Sequence, residues 1–573
     1  MSELFIGWNA AGQPVVIPQA ARRTTHMHVI GGSGTGKSKF FEWMIRRDID
    51  AAQGLCVLDW HGTLYQNILQ WCAGPARKVG LSLHGVKDSR SLILVDPSQP
   101  DYVTGFNPFM NVGADVAPQV NRRILATVKA WGASDTNDMP TLERIIRQVF
   151  TFAVENRETL PNVAYLLDQE QVDLRKHAMS STTNSRIRAM WGPLLNPTTR
   201  EWNEQALSTI NRFSRFLTSK AICRFMGLPH HNLNLMEVME KPGTIVLVNL
   251  AQSDFLSPQE ARVFATLFLN EWFETAMRRA HQYGARGEEP DPFILYLDEF
   301  QEYITDDLAA MLDEVRKGGL QMVLAHQHLG HFVDNPRLEK SVFTNARIRA
   351  VFGGLDFEDA AKLANEMFLE DLNARQIAKA YWHTIHLYRE EKRNIHSESF
   401  GTSQSEGTHT ASSLGSMTPR DAVEGWFGPG GSEFVSDGFG QMTGTSDFAG
   451  SSDVEVPVFV PIPTQELGSE ETWSREEKVS RVVQILKLQQ QRHCYIRLNR
   501  EKTQPLKVPK VEAPPVSPET VLEYRNAIFG AQGALPATEV DGILQDNERR
   551  FLEEARRQFQ TPVEPTTAKR RVR

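Results

Sequence analysis

A glycine-rich segment of eight residues carries the clearest chemistry in this sequence. It reads Gly31, Gly32, Ser33, Gly34, Thr35, Gly36, Lys37 and Ser38, and it matches the pattern G-x-x-x-x-G-K-[ST] in full. The glycines let backbone N–H groups turn towards a phosphate, and the lysine reaches the β- and γ-phosphates of a nucleotide. An apolar run precedes the segment and a run suited to a helix follows it. We therefore predict a phosphate-binding loop, with the Ser38 hydroxyl as a ligand to Mg²⁺.

Two acidic residues follow a second apolar run, FILYL, at Phe293–Leu297. A strand there would carry Asp298 to the carboxyl end of a sheet, where its carboxylate can hold the shell of a Mg²⁺ ion. Glu299 is then placed to orient and deprotonate an attacking water. Acidic residues after a strand are also common as helix N-caps. The presence of the phosphate-binding loop favours the catalytic interpretation.

Two further polar residues complete a set suited to hydrolysis. Gln327 ends the apolar run 322–326, where its amide would sense the γ-phosphate, or alternatively make a hydrogen bond at a strand end. Arg316 falls near the end of an amphipathic helix, where a cation suits the helix dipole in any case. Spacing alone therefore assigns Arg316 no catalytic role. The apolar face of that helix consists of Leu308, Met311, Leu312 and Val315.

Short apolar runs alternate with amphipathic helices over residues 1–112 and 240–396, which predicts an α/β fold with a buried parallel sheet. The predicted strands are 26–30, 55–59, 92–96, 244–250, 293–298, 322–326 and 348–352. Residues 113–239 show helical periodicity and little strand signal, so we predict an all-α insertion there. Residues 397–470 are rich in Gly and Ser and predict a flexible linker. Residues 471–573 predict a small α/β or helical C-terminal region with a basic tail.

Composition places the protein in a reducing compartment and excludes binding of nucleic acid through bulk charge. The net charge is −8, with 62 basic and 70 acidic residues, and four cysteines are scattered without paired spacing. Residues 397–470 hold 1 basic and 11 acidic side chains, so the acidic balance belongs to the predicted linker. No apolar run approaches the length of a membrane span. We expect a soluble, cytoplasmic protein without direct membrane insertion, recruited to the inner membrane only by partners.

These motifs, taken together with several others, resemble those of a known family. The other motifs are LDWHG at 58–62, DPS at 96–98, GFNP at 105–108, NRFSRFL at 211–217, LVNL at 247–250, LDEFQ at 297–301 and AHQ at 325–327. The chain resembles the HerA/FtsK clan of P-loop motor ATPases, and most closely its TraG/TraD-type branch of conjugative coupling proteins. It departs from that branch at Trp60, which stands where the family pattern has proline, and in lacking transmembrane helices.

The resemblance implies a RecA-like P-loop NTPase core that carries the all-α insertion. It also implies a homo-hexameric ring that uses ATP and Mg²⁺ to move DNA through a central channel. Lys37, Asp298, Glu299 and Gln327 would act within one subunit. Arg316 occupies the position of the family's arginine finger, which acts on the nucleotide of the neighbouring subunit.

We therefore expect a DNA-translocating ATPase from a mobile or plasmid-related system, working with secretion, conjugation or DNA-processing partner proteins. One alternative is the same motor fold driving protein delivery to a secretion channel. Another is a HerA-like DNA-processing or anti-phage complex with a partner nuclease. A third is a nucleotide-gated docking module with little turnover, although such a switch would not need Glu299.

Overall fold

The computed structural model describes fourteen segments of the chain. These are residues 3–74, 79–83, 86–87, 90–110, 120–121, 123–124, 140–230, 233–303, 306–333, 335–374, 377–403, 411–416, 433–438 and 446–559. The chain divides into two compact units. The first consists of Met1–Ala374 and Ser474–Arg573, and the second is Arg375–Trp473.

Nineteen strands and eighteen α-helices are formed by the described residues. The strands are β1 (Leu4–Trp8), β2 (Pro14–Ile17), β3 (Met27–Ile30), β4 (Leu55–Asp59), β5 (Ser82–Leu83), β6 (Val86–Lys87), β7 (Ser91–Val95), β8 (Tyr102–Val103), β9 (Thr244–Asn249), β10 (Phe293–Leu297), β11 (Leu320–His326), β12 (Ile348–Phe352), β13 (Ile377–Ser403), β14 (Ala411–Ser416), β15 (Glu433–Gly438), β16 (Ser446–Thr472), β17 (His493–Leu498), β18 (Gln504–Lys507) and β19 (Leu535–Pro536). The helices are α1 (Gln19–Thr24), α2 (Lys37–Asp50), α3 (Thr63–Cys72), α4 (Pro140–Asn156), α5 (Leu160–Ala164), α6 (Val172–Ser181), α7 (Ser185–Met190), α8 (Thr199–Leu217), α9 (Lys220–Met226), α10 (Leu235–Glu240), α11 (Pro258–Arg286), α12 (Asp306–Glu314), α13 (Pro336–Asn345), α14 (Phe357–Met367), α15 (Leu369–Asn373), α16 (Arg475–Lys487), α17 (Pro518–Ala531) and α18 (Ala537–Phe559).

An eleven-stranded sheet forms the centre of the first unit. Its strand order is β2-β1-β18-β17-β12-β3-β11-β10-β4-β9-β7. The seven strands from β12 to β7 are parallel, and they are the seven strands predicted from the apolar runs. The predicted α/β fold is therefore confirmed, with each strand within two residues of its expected bounds.

The apolar runs form strands here because each buries both of its faces. In β10, Ile294 and Tyr296 belong to one hydrophobic core, and Leu295 and Leu297 belong to another. Side chains alternate between the faces of a strand, so a helical layer on each side of the sheet requires an unbroken apolar sequence. All five residues of β10 are buried.

Within the described part of residues 113–239, all regular secondary structure is helical, as predicted. Helix α4 shows why: Ile145, Ile146, Val149 and Phe150 recur at helical spacing and are all buried. Its partner α8 packs beside it through Phe213, whose ring lies 6.2 Å from that of Phe150.

The C-terminal region, which we predicted as a small α/β or helical region, contributes two strands to the central sheet. β17 pairs antiparallel with β12, from Ile348 opposite Leu498 to Phe352 opposite Cys494, and β18 continues the sheet to β1. Helix α18 packs on the helical insertion, where Arg224 makes a two-pronged ion pair with Asp541 at 2.8 and 2.7 Å. The partners of these elements lie far away in the sequence, about 150 residues for β17 and about 500 for β18 on its β1 side.

The second unit is a long antiparallel ribbon. β13 and β16 pair from Ile377 opposite Thr472 to Ser403 opposite Ser446, and β14 pairs with β15. We predicted a flexible linker over 397–470, but the described residues of this range form strands, and the ribbon begins within the predicted core. The composition concealed a period-two pattern in β16, where valines at 454, 456, 458 and 460 occupy one face.

No helix in the described parts of the chain is long and apolar enough to cross a membrane. The four cysteines, Cys56, Cys72, Cys223 and Cys494, are free thiols.

Candidate active site

The phosphate-binding loop connects β3 to α2, as the sequence predicts. Gly36 precedes the first residue of α2 with a φ of +113°, a left-handed conformation that glycine adopts without strain. The helix N-terminus and the backbone N–H groups of this loop make a ready site for phosphate. Lys37 is 6% exposed, and its Nζ donates to the carbonyl oxygens of Gly31 at 2.5 Å and Gly32 at 3.0 Å. The Ser38 side chain is exposed at the start of the helix.

Asp298 follows β10, two strands from β3 in the sheet, and is 6% exposed. Its pKa is raised to about 7, first by burial and then by the negative charges of Asp59 and Glu299, while the Lys37 ammonium opposes the shift. Burial also lowers the pKa of Lys37, against the charges of Glu299 and Asp298. The lysine and the acidic pair therefore act on each other electrostatically across the site.

Glu299 is held by two glutamines. Its Oε2 accepts a 2.5 Å hydrogen bond from Nε2 of Gln301, and its Oε1 accepts a 2.9 Å bond from Nε2 of Gln327. The backbone of Glu299 has a φ of +50°, in the left-handed region that non-glycine residues seldom occupy and that tends to mark functional sites. The structure thus brings Lys37, Asp298, Glu299 and Gln327 together, and it adds Gln301, which the sequence analysis missed.

Asp59, at the end of β4, is a second buried carboxylate beside Asp298. It accepts hydrogen bonds from the backbone N–H groups of His61 (3.0 Å) and Tyr65 (2.7 Å), which fix the start of α3. Its charge is one cause of the raised pKa of Asp298. The LDWHG motif pointed to this residue, although the sequence left its role open.

Trp60, the departure from the family pattern, packs against Tyr303 and Arg262. Its ring lies 5.8 Å from that of Tyr303 in an edge-to-face arrangement, and the Arg262 guanidinium lies 5.7 Å from its centroid. The Tyr303 hydroxyl is buried and makes no hydrogen bond to any described residue.

Motifs far apart in the sequence meet at the neighbouring strand ends. Nδ2 of Asn249 donates to Asp96 at 3.0 Å and to the Ser98 hydroxyl at 2.8 Å, and that hydroxyl donates to Asp96 at 2.6 Å. The DPS and LVNL motifs therefore form one buried hydrogen-bonded cluster. Such a cluster holds the ends of β7 and β9 in place.

His326 positions Gln327 from inside the core. Its Nε2 lies 2.6 Å from Nε2 of His28 on β3, and both rings are fully buried. Burial holds the pKa of both imidazoles well below the ordinary value. This contact ties the strand that precedes the phosphate-binding loop to the strand that ends in Gln327.

Arg316 lies at the opposite edge of the sheet. The phosphate-binding loop, Asp298 and Gln327 follow strands β3, β10 and β11, whereas Arg316 precedes β11. Its guanidinium donates to the Thr24 carbonyl at 2.7 Å and to Oδ1 of Asn345 at 3.2 Å. The structure therefore does not bring Arg316 to the phosphate-binding loop of its own chain.

The parallel sheet, the loop after β3 and the acidic residue after β10 define a RecA-like P-loop NTPase fold. No known protein family matches the sequence, and no curated protein matches it. Several solved structures show a distant similarity to this chain. The bacterial conjugative coupling protein TrwBdeltaN70 is 12% identical over 90% of this chain and 91% of that chain, with a TM-score of 0.48.

Two further structures illustrate the range of these matches. Plasmid coupling protein TrwB in complex with ADP and Mg²⁺ is 14% identical over 63% of this chain and 78% of that chain, with a TM-score of 0.43. VirB4 of Thermoanaerobacter pseudethanolicus is 12% identical over 64% of this chain and 88% of that chain, with a TM-score of 0.40. Similarity at this level concerns the fold alone.

Proposed function

We propose that this protein is a ring-forming, cytoplasmic ATPase that couples ATP hydrolysis to DNA translocation, with secretion, conjugation or DNA-processing partners. The ATPase assignment rests on one observation. Gln327 donates a hydrogen bond to Glu299, and this carboxylate lies next to Asp298 in a site that also contains the buried Lys37. A binding site alone needs the lysine and the loop. A hydrolytic site also needs an oriented carboxylate.

The N–H groups of residues 33–38 and the Lys37 ammonium would hold the phosphates of ATP. Lys37 is already buried within the loop, so little side-chain freedom is lost when it meets a phosphate. A charged group in a partly dehydrated site also interacts with an anion more strongly than it would in water.

Asp298 and Ser38 would hold Mg²⁺. The residues fit this ion because Asp298 is a buried carboxylate beside a second one, Asp59, and a divalent cation would relieve their repulsion. When bound, Mg²⁺ supplies positive charge to the β- and γ-phosphates. Asp298 must then be ionised, so the rise in its pKa is offset by the cation.

Glu299 would take a proton from water as the water oxygen attacks the γ-phosphorus. The bond from the γ-phosphorus to the bridging oxygen breaks, and ADP and inorganic phosphate leave. Gln301 and Gln327 fix the carboxylate from both sides. Because Gln327 directly follows β11, a contact between its amide and the γ-phosphate would be transmitted to that strand.

The ring and the DNA substrate rest on the series of family motifs and on the helical insertion. The position of Arg316 supports a ring as well. A catalytic arginine at the edge opposite the phosphate-binding loop can serve only the nucleotide of another subunit. Its hydrogen bonds to Thr24 and Asn345 would hold it at that edge.

The test is the rate of ATP hydrolysis by a confirmed oligomer, measured alone and with single- or double-stranded DNA. We expect one of the two forms of DNA to stimulate hydrolysis. A rate that neither form changes would contradict the DNA motor while leaving the ATPase assignment intact. Absence of hydrolysis in all three conditions would contradict both.

A further inference from the structure

The phosphate-binding loop is contacted from outside by residues more than 450 positions later in the chain. Nε2 of Gln491 donates to the carbonyl of Gly34 at 3.2 Å, and the backbone N–H of Arg492 donates to the carbonyl of Thr35 at 3.0 Å. Both donors belong to the turn between α16 and β17, which we call the 491–492 turn. Because it precedes β17, this turn is held by the central sheet.

These two hydrogen bonds control the direction of the N–H groups that face a phosphate. In a planar trans peptide, the carbonyl of one residue and the N–H of the next point in opposite directions. Fixing the carbonyls of Gly34 and Thr35 outwards therefore fixes the N–H groups of Thr35 and Gly36 inwards. A loop whose N–H groups already converge binds an anion without first being ordered.

The 491–492 turn is itself rigidly held. Arg492 has a φ of +65°, and its guanidinium donates twice to the carbonyl of Val508, at 3.3 and 3.2 Å. The N–H of Val508 returns a 2.9 Å bond to the carbonyl of Arg492. A left-handed non-glycine residue persists only where its surroundings over-determine it.

A second turn, Gly353–Gly354 after β12, supports the other end of the loop. The N–H of Gly32 donates to the Gly353 carbonyl at 2.8 Å, and the N–H of Gly354 donates to the Lys487 carbonyl, just before the 491–492 turn, at 3.2 Å. A Cβ on Gly32 would lie 2.5 Å from the Gly354 carbonyl oxygen. The backbones are therefore in direct contact, and the loop lies between the two turns.

We propose that Gln491 and Arg492 are positioning residues for the phosphates of the nucleotide, so that the C-terminal region completes the nucleotide site. This inference rests on the proposed function. The inference adds to that function two residues that lie far from the phosphate-binding loop in the sequence. Of the two, Gln491 offers the cleaner test because its side chain is exposed and its loss leaves the turn's backbone intact.

The experiment measures the dissociation constant of a fluorescent ATP analogue for the full chain and its Gln491 variants. Gln491→Ala removes the donor to Gly34, and we expect affinity to fall about fivefold, the effect of one net hydrogen bond. Gln491→Glu replaces the donor with an anionic acceptor beside the phosphate site, and we expect a loss on the order of 30-fold or more. Gln491→Lys keeps a donor of similar reach and adds a cation beside the phosphates, so it should bind at least as tightly as the wild type.

Gln490→Ala provides the matched control, because this neighbouring exposed side chain makes no hydrogen bond to the described residues. This control should match the wild type in affinity and in the maximal hydrolysis rate at saturating ATP, and all variants should unfold at the wild-type temperature. A purely structural role for Gln491 would not separate lysine from glutamate in this order.

The outcomes distinguish this inference from the proposed function. Equal affinity in the wild type, Gln491→Ala and Gln491→Glu would overturn the role of the turn and leave the ATPase assignment standing. A wild-type protein that binds no nucleotide would overturn both. If the Gln491 variants lost affinity only when their unfolding temperature also fell, the role of the turn would be overturned as well.

Discussion

The side-chain amide of Gln327 donates a 2.9 Å hydrogen bond to Oε1 of Glu299. The two residues follow β11 and β10, which are adjacent parallel strands with Leu297 opposite Leu324. A displacement of either strand end therefore changes the orientation of the carboxylate. In the proposed ATPase, this bond would offer a direct route by which the γ-phosphate influences the sheet and by which the sheet influences hydrolysis.

Replacement of Gln327 by alanine should slow hydrolysis with little effect on ATP binding. Glu299 would keep its bond from Gln301 but lose the one that fixes Oε1, and misplacement of a catalytic group costs on the order of 100-fold in rate. The steady-state maximal rate and the affinity for an ATP analogue check this. Gln282→Ala, an exposed site on α11, is the control. An unchanged rate would show that Gln327 only ends a strand.

Replacement of Asp298 by asparagine should stabilise the Mg²⁺-free protein while abolishing hydrolysis. The pKa of this carboxyl is about 7 in the folded chain and ordinarily 3.8, so the folded state binds the proton more tightly. Its ionisation therefore lowers the free energy of unfolding as pH rises from about 4 to about 7, by roughly 2–4 kcal/mol. Asp298→Asn should lose this slope.

Chemical unfolding in EDTA at several pH values between 5 and 8 measures this difference. The variant should exceed the wild type in stability at pH 8, and the two should converge towards pH 5. Parallel curves would mean that Asp298 ionises normally in the folded protein. For the same reason, binding of Mg²⁺ with ATP to the wild type should weaken below pH 7.

Replacement of Arg316 by alanine should leave ATP binding intact. In rings that contain both wild-type and variant subunits, it should also inhibit hydrolysis by the wild-type subunits. An arginine that acts across subunits typically contributes on the order of 10³-fold or more to the rate. Activity should therefore fall more steeply than the fraction of variant subunits. Lys317→Ala, its exposed neighbour, is the control. A loss proportional to that fraction would show that Arg316 does not act across the interface.

A chain that ends after residue 396 should fail to fold into a nucleotide-binding core. It would lack β17 and β18, leaving the edge of β12 uncovered and the phosphate-binding loop without the 491–492 turn. Uncovered strand edges promote aggregation. Size-exclusion chromatography and ATP-analogue binding of the truncated chain check this. A soluble fragment that binds nucleotide would show that the predicted boundary is a true domain boundary.

The sequence predicted the seven parallel strands because burial on both faces leaves an unbroken apolar run. The strands β1, β2, β17 and β18 extend the same sheet, but they are antiparallel and partly exposed. Sequence pattern can mark β17 as a strand near Cys494, yet nothing local shows that its partner is β12. Pairing between residues about 150 positions apart depends on the whole fold.

The candidate active site shows the same contrast between residues that local sequence predicts and contacts that depend on the whole fold. Lys37 was predictable from the glycine-rich motif, and Asp298, Glu299 and Gln327 were predictable because they come just after recognisable parallel strands, which end at one edge of the sheet. Gln301 and Asp59 were not assigned roles, because these depend on side-chain contacts made only in three dimensions. Composition misled at the ribbon, where Gly and Ser suggested a linker and the alternating valines of β16 indicated a strand.

The most direct test of the account is the rate of ATP hydrolysis by Glu299→Gln beside the wild type, with binding of an ATP analogue measured in both. The substitution keeps the size of the side chain and removes its capacity to accept a proton from water. We predict wild-type affinity and a rate at least about 100-fold lower. Hydrolysis at the wild-type rate by Glu299→Gln would contradict the assignment of this residue as the base.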